Sequence, residues 1–374
     1  MKRTPAPGLV EAVLRACDLL RAFRSEGELL RLRDLVQRSG LSKTTVHRLL
    51  KTLEHGQMIE RTSADQYRSR VRILDQRPVR IGFAGQNTTA TFSQEVSLSV
   101  ARAARAHGIS LVEVNNRYSA KAALKNAELL IREHPDVIIE FQTYENVAPV
   151  IASRFLEAGI PVIAVEIPHP GAVYFGANNY HAGLIAGRAL GKWAKENWGG
   201  VVDEILLLEE RIAGPLPHQR LDGALAGIRE VLPLSERASV TRIDAKGFFA
   251  PALESTRRHI RGSPHRHTLI AAINDPMTLG ALRAFEECGR LEHCAAAGQN
   301  AVPEACDELR RPSTRLIGSV AYFPERYGDE LIPLAITLAA GKPAPPAVFI
   351  RHLLITSRNV DTVYPPQRKS AAGS

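Results

Sequence analysis

Cysteine is scarce in this sequence, and the cysteines present show no pairing pattern. Four occur in 374 residues, and none has the C-x-x-C spacing of a redox pair or zinc site. His259, His265 and His267 lie in a basic stretch flanked by glycine and proline, which is typical of a solvated loop. The cysteines and histidine of 288–294 lack a matched fourth ligand for a metal. We therefore expect reduced thiols and no metal site.

Sequence signatures of common enzymes are also missing. No G-x-G-x-x-G follows a predicted strand, and neither H-E-x-x-H nor G-x-S-x-G occurs. The run Gly187–Lys192 is too short for a phosphate-binding loop and lacks the Ser or Thr that should follow its lysine. We therefore predict no catalytic residue and no cofactor, and we expect that the protein is not an enzyme.

Long apolar runs are missing as well. No window approaches the ~18 uninterrupted apolar residues of a membrane-spanning helix. The residues after Met1 include cations but no apolar core of a signal peptide. The sequence therefore predicts a cytoplasmic protein with no membrane partner.

Positive charge is present but unevenly distributed. Residues 1–77 contain 16 Lys and Arg against 9 Asp and Glu, whereas the remainder contains 32 against 30. A basic N-terminal part beside a nearly neutral remainder indicates a nucleic-acid partner for the first and a weakly charged ligand for the second.

Residues 28–72 have the pattern of a winged helix-turn-helix. Leu32, Leu35 and Val36 form one apolar helical face, Gly40 is suited to a left-handed helix end, and Ser42 is a good N-cap. A second helix is predicted over 43–55, with an inner face of Val46, Leu49, Leu50 and Leu53. Two alternating segments around a polar turn, 58–61 and 66–69, predict a β-hairpin wing. Hydroxyl and cationic side chains suit base edges and phosphates, so the predicted DNA contacts are Ser42, Lys43, Thr44, Thr45, His47, Arg48, Lys51, Tyr67 and Arg68.

The run Leu41–Leu53, with Thr-Val-His-Arg-Leu-Leu inside it, resembles the recognition helix of IclR-type winged helix-turn-helix regulators. The resemblance covers about residues 9–72 and includes the wing position Tyr67. We expect a first helix over 9–24 that buries Val10, Val13, Leu14, Cys17, Leu20 and either Leu19 or Phe23. Double-stranded operator DNA is the expected partner, and a homodimer is expected because two-fold operators match two-fold proteins.

From Val79 onward, predicted strands alternate with helices, which indicates parallel α/β sheets. The alternation fills two halves of similar size. The predicted fold class is α/β: a small N-terminal winged helix-turn-helix plus a two-lobed fold of two Rossmann-like lobes.

Several runs of this second part resemble type I periplasmic-binding-protein folds, as found in ribose-binding and other sugar-binding proteins and in LacI-type sensor domains. The resemblance covers about residues 78–362, and Asn274-Asp275 with Gly280-Ala-Leu is its most specific part. The other runs are Ile160–Val165, Gly176–Gly187, Arg220–Ala224 and the segment around Pro324.

The resemblance implies a sugar or polyol between the lobes and assigns its contacts. Phe92 would stack on the ligand, Glu166 would accept from a hydroxyl, and Arg220 would donate. Asn274 would supply an amide, and Tyr322 would contact the ligand from the hinge side. Where the family usually has an aspartate, this sequence has Asn300, whose amide both donates and accepts, so an unmodified pentose is in doubt.

The sequence therefore predicts a transcription regulator whose DNA binding is controlled by a small carbohydrate-like effector. The alternative is a sugar-binding transport receptor or a receptor-coupled sensor of the same fold, and the basic head and missing signal peptide oppose a transport receptor. An α/β enzyme fused to a DNA-binding head is a third possibility, which the absence of a nucleophile, metal or phosphate motif opposes. The predicted limits are a head over 1–72, a linker over 73–78, a sensor over 79–362 and a disordered tail over 363–374. Within the sensor, lobe one is expected over 79–177 and 323–352, and lobe two over 178–322 and 353–362.

Overall fold

The structure is a computed structural model that describes residues 9–23, 27–71, 79–233 and 238–366. These residues belong to two compact units, which we describe separately. Met1–Val79 with Ile336–Ala344 forms one unit, and Arg80–Ala335 with the chain from Pro345 forms the other. The predicted linker over 73–78 lies outside the described residues.

The N-terminal unit contains a three-helix head with a small antiparallel sheet of strand order β1-β3-β2. Its elements are α1 (Glu11–Leu20), β1 (Leu30–Arg31), α2 (Leu32–Ser39), α3 (Lys43–His55), β2 (Ile59–Ser63) and β3 (Gln66–Ser69). The predicted turn is confirmed. Gly40 ends α2 at φ +66°, and its N–H donates to the carbonyl of Val36. The Ser42 hydroxyl caps α3 by accepting from the Thr45 N–H at 3.3 Å.

One apolar core holds the head together. The predicted inner face of α3 is confirmed, because Val46 and Leu50 are buried and Leu49 and Leu53 pack against the same cluster. The other buried members come from α1, α2, the sheet and the connecting segments: Leu19, Leu20, Ala22, Phe23, Leu30, Leu35, Ile59 and Tyr67.

The predicted burial of the start of α1 is wrong. Val10 and Val13 are 64% and 58% exposed, and Leu14 is 37% exposed. Within the described head, the buried residues of α1 are Leu19 and Leu20 in its last turn. Helical periodicity identifies an apolar face, but it does not show how far along the helix that face is covered.

The second unit, Arg80–Ala335 with the chain from Pro345, is called the sensor after its predicted role, and it contains two sheets of six strands each. In chain order the strands are β4 (Arg80–Gly85), β5 (Ser110–Asn115), β6 (Val137–Glu140), β7 (Val162–Val165), β8 (Val173–Gly176), β9 (Glu204–Glu209), β10 (Ser239–Asp244), β11 (Thr268–Ala272), β12 (Cys294–Asn300), β13 (Leu316–Ala321), β14 (Ala347–Phe349) and β15 (Leu353–Ile355). Lobe one has the order β14-β8-β7-β6-β4-β5, and lobe two has β10-β9-β11-β12-β13-β15. All neighbours are parallel except β13 and β15.

Helices pack on these sheets and bury the central strands completely, as continuous apolar runs predict. They are α4 (Thr91–Ala106), α5 (Ala120–Arg132), α6 (Ala148–Glu157), α7 (Asn179–Asn197), α8 (Pro215–Val231), α9 (Phe249–Gly262), α10 (Asp275–Glu287), α11 (Pro303–Leu309), α12 (Tyr327–Ala339) and α13 (Val360–Val363). Among the described residues, no helix combines the length and apolar character needed to cross a membrane.

The chain passes between the lobes three times: after β8, after β13 and between β14 and β15. The two-lobed α/β fold predicted from the sequence is thereby confirmed. The part of the predicted disordered tail that the structure describes is ordered. Tyr364 stacks on Phe323 with 6.1 Å between ring centroids, and its carbonyl accepts from Arg310 at 2.5 Å. Residues 367–374 lie outside the described residues.

Candidate functional site

The outward face of α3 carries most of the predicted DNA contacts. Lys43, Thr44, His47, Arg48 and Lys51 are all exposed. They follow one another along the first two and a half turns, so this face presents cations and a hydroxyl together. Side chains of this kind can reach both base edges and phosphate oxygens.

Two further predicted contacts are already engaged in the helix cap. The hydroxyls of Ser42 and Thr45 lie 2.8 Å apart, and Thr45 is only partly exposed. Their first role is to satisfy the start of α3, which the sequence pattern had already indicated for Ser42.

One of the predicted DNA contacts, Tyr67 in the wing, is buried. Tyr67 is buried in the head core and pairs with Leu30 of β1 and Arg61 of β2. Because its ring faces inward, it is withdrawn from the predicted DNA-contacting residues. Arg68 is exposed and pairs with Glu60, which also binds Arg70 at 2.8 Å. Hydrogen bonds from Arg70 and Arg68 lower the pKa of Glu60.

In the sensor, a cleft of about 510 Å³ opens between the lobes, at the carboxyl ends of the strands. Open α/β sheets bind ligands at this edge, and the volume suits a small molecule. Five of the six predicted effector contacts line it: Phe92, Glu166, Arg220, Asn274 and Asn300.

Arg220 links the two lobes. It lies on α8 of lobe two, and its Nη2 binds Oε2 of Glu166, which follows β7 of lobe one, at 3.1 Å. Its Nε donates to Asn179 at 2.6 Å, and its Nη1 donates to the carbonyl of Ile273 at 2.8 Å. Each guanidinium nitrogen therefore has a protein partner, and both members of the ion pair are buried.

Glu166 is held in a strained position. Its backbone has φ +63°, which is uncommon for a residue with a side chain. The hydroxyl of Tyr327 donates to Oε1 at 2.6 Å, so both carboxylate oxygens have partners. Burial raises the pKa of Glu166, and the neighbouring Arg220 opposes that rise.

Three other predicted residues differ in how they meet the cleft. The Asn274 side chain caps α10 by accepting from the Met277 N–H, and it donates to the Gly247 carbonyl at 3.0 Å. Asn300 has φ +101°, and its buried Oδ1 has no hydrogen-bond partner among the described residues. Tyr322 does not line the cleft.

Tyr322 was predicted to contact the ligand directly, but its ring packs against Arg220 instead. The Arg220 guanidinium lies 4.9 Å from the Tyr322 ring centroid. The Tyr322 hydroxyl donates to Gln299 at 3.1 Å, and its ring packs at 4.8 Å on His352, in the third crossing between the lobes.

Several residues of the cleft were not predicted. Glu210 directly follows β9, and it was recognisable as a carboxylate at the end of a predicted buried strand. Burial raises its pKa to about 7. The other polar additions are Gln86, Thr89, Thr91, Thr143 and Glu304, and the aromatic additions are Tyr118, Phe141, Phe248 and Phe249.

Two contacts besides the Arg220–Glu166 pair join the lobes across this cleft. The Thr91 hydroxyl of α4 donates to Glu304 of α11 at 3.0 Å. The ring of Tyr118 meets that of Phe248 edge-on, with 5.6 Å between centroids. The lobes are therefore in contact around the cleft rather than splayed apart. Within the described ranges, no three His, Cys, Asp or Glu side chains come together as a metal site would require.

Comparison with known families assigns both parts of the chain. Residues 81–343 match the periplasmic binding protein domain, and residues 12–63 match the IclR helix-turn-helix domain. Neither is a catalytic family. No curated protein matches the chain.

Solved structures share the sensor fold. A solute-binding protein of Bacillus halodurans C-125 with bound myo-inositol is 20% identical at a TM-score of 0.68, over 78% of this chain and 99% of its own. A solute-binding protein of Actinobacillus succinogenes 130z with bound D-allose is 18% identical at a TM-score of 0.66, and the match covers 76% of this chain and 100% of that protein. A solute-binding protein of Agrobacterium vitis with bound allitol is 20% identical at a TM-score of 0.68, and the match covers 76% of this chain and 98% of that protein.

Most of the chain thus matches one family model, and its N-terminal part matches another. The protein belongs to the periplasmic binding protein family and has an IclR-type helix-turn-helix domain at its N-terminal end.

Proposed function

We propose that the protein is a transcription regulator that binds operator DNA and responds to a small polyhydroxylated effector. One chain combines an exposed cationic helix α3 with a cleft between two lobes, and this combination supports the proposal. A transport receptor would have no use for a DNA-reading head. In this proposal the head spans 1–72, the linker 73–78 and the sensor 79–362.

The DNA contacts that we propose are those of α3 and the wing, without Tyr67. Arg48 lies within the first two turns of α3, where side chains reach base edges, and Lys51 lies one turn later, where a phosphate is the better partner. A second copy of the chain would read the other half of a two-fold operator, so we propose a homodimer.

The effector that we propose is a sugar or polyol. The similar solute-binding structures hold myo-inositol, D-allose and allitol. The cleft offers aromatic rings for C–H surfaces together with carboxylate, amide and guanidinium groups for hydroxyls. An effector that prefers the closed sensor would shift its population and thereby change the operator affinity.

DNA recognition is tested by selecting binding sites from a random duplex pool with the full-length protein. The selected site should bind with an affinity that falls steeply with salt. Arg48→Ala should cost about 1–3 kcal/mol and relax the preference at one base pair, whereas Lys51→Ala should reduce the salt slope by about 1. Fluorescence anisotropy at several salt concentrations measures both effects.

Two variants serve as controls. Tyr67→Phe should retain the wild-type DNA affinity because the ring stays in the core. Arg15→Ala, which removes an exposed cation of α1 paired with Glu11, should also retain it. Failure to enrich any sequence would contradict the proposed function.

Effector binding is tested by thermal unfolding with monosaccharides, polyols and cyclitols. A ligand at 100 times its Kd should stabilise the sensor by about 2.7 kcal/mol. Asn300→Ala should reduce the shift, since it removes an unpartnered acceptor of the cleft. If no compound of the panel shifts the transition, the effector is not a free sugar or polyol.

A further inference from the structure

The side chain of Glu210 is an unused carboxylate in the cleft wall. Glu210 is 8% exposed and lines the cleft where β9 ends. Among the residues that the structure describes, no hydrogen bond or ion pair holds the Glu210 carboxylate. The carboxylate packs directly on Gly247: a Cβ added to Gly247 would lie 2.6 Å from the carboxylate carbon of Glu210. A ligand that fills the cleft removes this carboxylate from water, so the ligand is expected to supply its partner.

Burial raises the pKa of Glu210 and the charge of Arg220 opposes that rise, but Arg220 forms no ion pair with Glu210 among the described residues. Arg220 is the guanidinium of the lining, and its three nitrogens already bind Glu166, Asn179 and the Ile273 carbonyl. Once Arg220 and Glu166 offset each other, Glu210 and Glu304 leave the lining with negative charge. Anionic ligands such as sugar phosphates and sugar acids are therefore disfavoured.

A second unpartnered acceptor lies in the same cleft. Asn300 is 9% exposed, and its Oδ1 is buried without a partner among the described residues. An oxygen of this kind needs a donor, and Glu210 needs donors and a positive charge. An ammonium supplies three N–H donors and a charge without adding any acceptor.

The aromatic lining is suited to the same group. Tyr118 and Phe248 meet edge-on beside the cleft, and Phe249, Phe92 and Phe141 also line it. Ring faces attract cations, and the attraction grows when the cation is removed from water. A neutral hydroxyl brings no positive charge to offset that of Glu210.

From these contacts we infer that the effector is an amino-bearing sugar or polyol, with its ammonium paired to Glu210. This inference rests on the proposed function, because it specifies the ligand class of the same cleft. Glu210 would thus be the residue that distinguishes an amine from a hydroxyl at one ligand position.

The inference is tested with matched pairs of ligands that differ by one amino group. D-glucosamine, D-galactosamine, D-mannosamine and glucamine (1-amino-1-deoxy-D-sorbitol) are each compared with the corresponding neutral hexose or sorbitol by isothermal titration of the full chain. At least one amine should bind more tightly than its neutral partner by about tenfold or more, as expected for a charge-assisted hydrogen bond. Glu210→Gln should abolish the preference of the protein for the amine over its neutral partner.

The pH dependence provides an independent readout with glucamine, whose alkylammonium stays charged below pH 8. The charged groups around Glu210 are Arg220 and Asp244, and the Tyr118 hydroxyl is also near. The imidazole of His218 is a further titratable neighbour, since its Nε2 lies 3.0 Å from the backbone carbonyl oxygen of Glu210. Because the pKa of Glu210 is raised to about 7, its carboxylate ionises between pH 6 and 8. Glucamine affinity should rise about tenfold over this interval, and the rise should disappear in Glu210→Gln.

Glu254→Gln is the matched control, since it removes an exposed carboxylate of the same lobe. It should preserve both the amine preference and the pH dependence. If a neutral sugar or polyol binds and its amine does not bind more tightly, the inference about Glu210 is overturned while the proposed function stands. If no amine and no neutral compound binds, both the inference and the proposed sugar-like effector are overturned.

Discussion

At the scale of single residues, Arg220 has the largest structural role in the cleft. It joins helix α8 of lobe two to Glu166 of lobe one, and it rests on the ring of Tyr322. Buried ion pairs contribute little net stability, but the loss of one member leaves the other charge buried and unpaired. The pair is therefore a constraint on how the lobes meet as well as a candidate ligand contact.

We predict that Arg220→Gln destabilises the sensor by about 3–5 kcal/mol, because Glu166 would remain buried without its cation. Arg188→Gln is the matched control, since Arg188 lies on α7 of the same lobe and pairs with Glu230 at 2.6 Å on the surface. That change should cost less than about 1 kcal/mol. Urea unfolding of both variants measures the difference, and equal losses would contradict a special role for the buried pair.

Sequence reasoning identified several residues of the cleft but not their partners. Glu166, Arg220 and Asn300 were predicted from a family resemblance, and all three line the cleft. Tyr67 and Tyr322 were misassigned because a tyrosine's polar hydroxyl does not reveal whether its ring is buried. Glu210 was missed because the resemblance did not assign it, although its position after a strand was visible.

At the scale of elements, helices α7 and α8 pack unusually closely. A Cβ at Gly183 would lie 1.9 Å from the Arg220 carbonyl oxygen, and one at Gly187 would lie 2.0 Å from that of Ala224. The backbones touch because neither glycine has a side chain. The position of Arg220 along the cleft therefore depends on glycines in a neighbouring helix.

We predict that Gly183→Ala destabilises the sensor by about 1–3 kcal/mol or more, because α8 must move to admit the methyl group. The effector affinity should fall as well, since Arg220 moves with α8. Gly262→Ala, at the end of α9 with open space around its Cβ position, should change stability by no more than about 1 kcal/mol. Thermal unfolding with and without ligand separates the two effects. An unchanged Gly183→Ala protein would show that the helices can separate without cost.

Elements with their own local signals were predicted well. Helix α3 runs over Lys43–His55 as predicted, because a cap, an apolar face and a glycine after its last turn all agree. Strand β1 was missed, since its two residues are defined only by pairing with β3. The exposed start of α1 was predicted as buried for a related reason, because coverage of an apolar face depends on distant residues.

At the scale of the whole molecule, buried ionisable groups should make stability depend on pH. Burial raises the pKa of Glu140 to about 8 and that of Asp275 to about 7, as it does for Glu210. Between their unfolded and folded pKa values, these carboxyls bind more protons in the folded protein. Their stabilising contribution is therefore lost as the pH rises through about 7 to 8.

We predict that the free energy of unfolding falls by about 2–3 kcal/mol between pH 6.5 and 8. Burial lowers the pKa of His169 and His352 to about 4. Below about pH 6.5 these histidines bind protons more readily in the unfolded protein, so they lower the free energy of unfolding as the pH falls and do not affect the decline above pH 6.5. Glu140→Gln should flatten the decline above pH 7, and Glu133→Gln, an exposed carboxylate paired with Arg80, should not. Urea unfolding at constant ionic strength measures the profile. A flat wild-type profile would contradict the raised values.

Because the chain crosses between the lobes three times, the last strand of each lobe is synthesised near the end of the chain. Strand β14 pairs with β8 through Ala347 and Tyr174, and β15 pairs with β13 through Ile355 and Ser319. A ribosome delivers the helix-turn-helix head first, but neither sensor sheet gains its last strand until the segment 347–355 has been made. A stop codon shortly before that segment would therefore remove one edge strand from both lobes at once and leave the head's sequence intact.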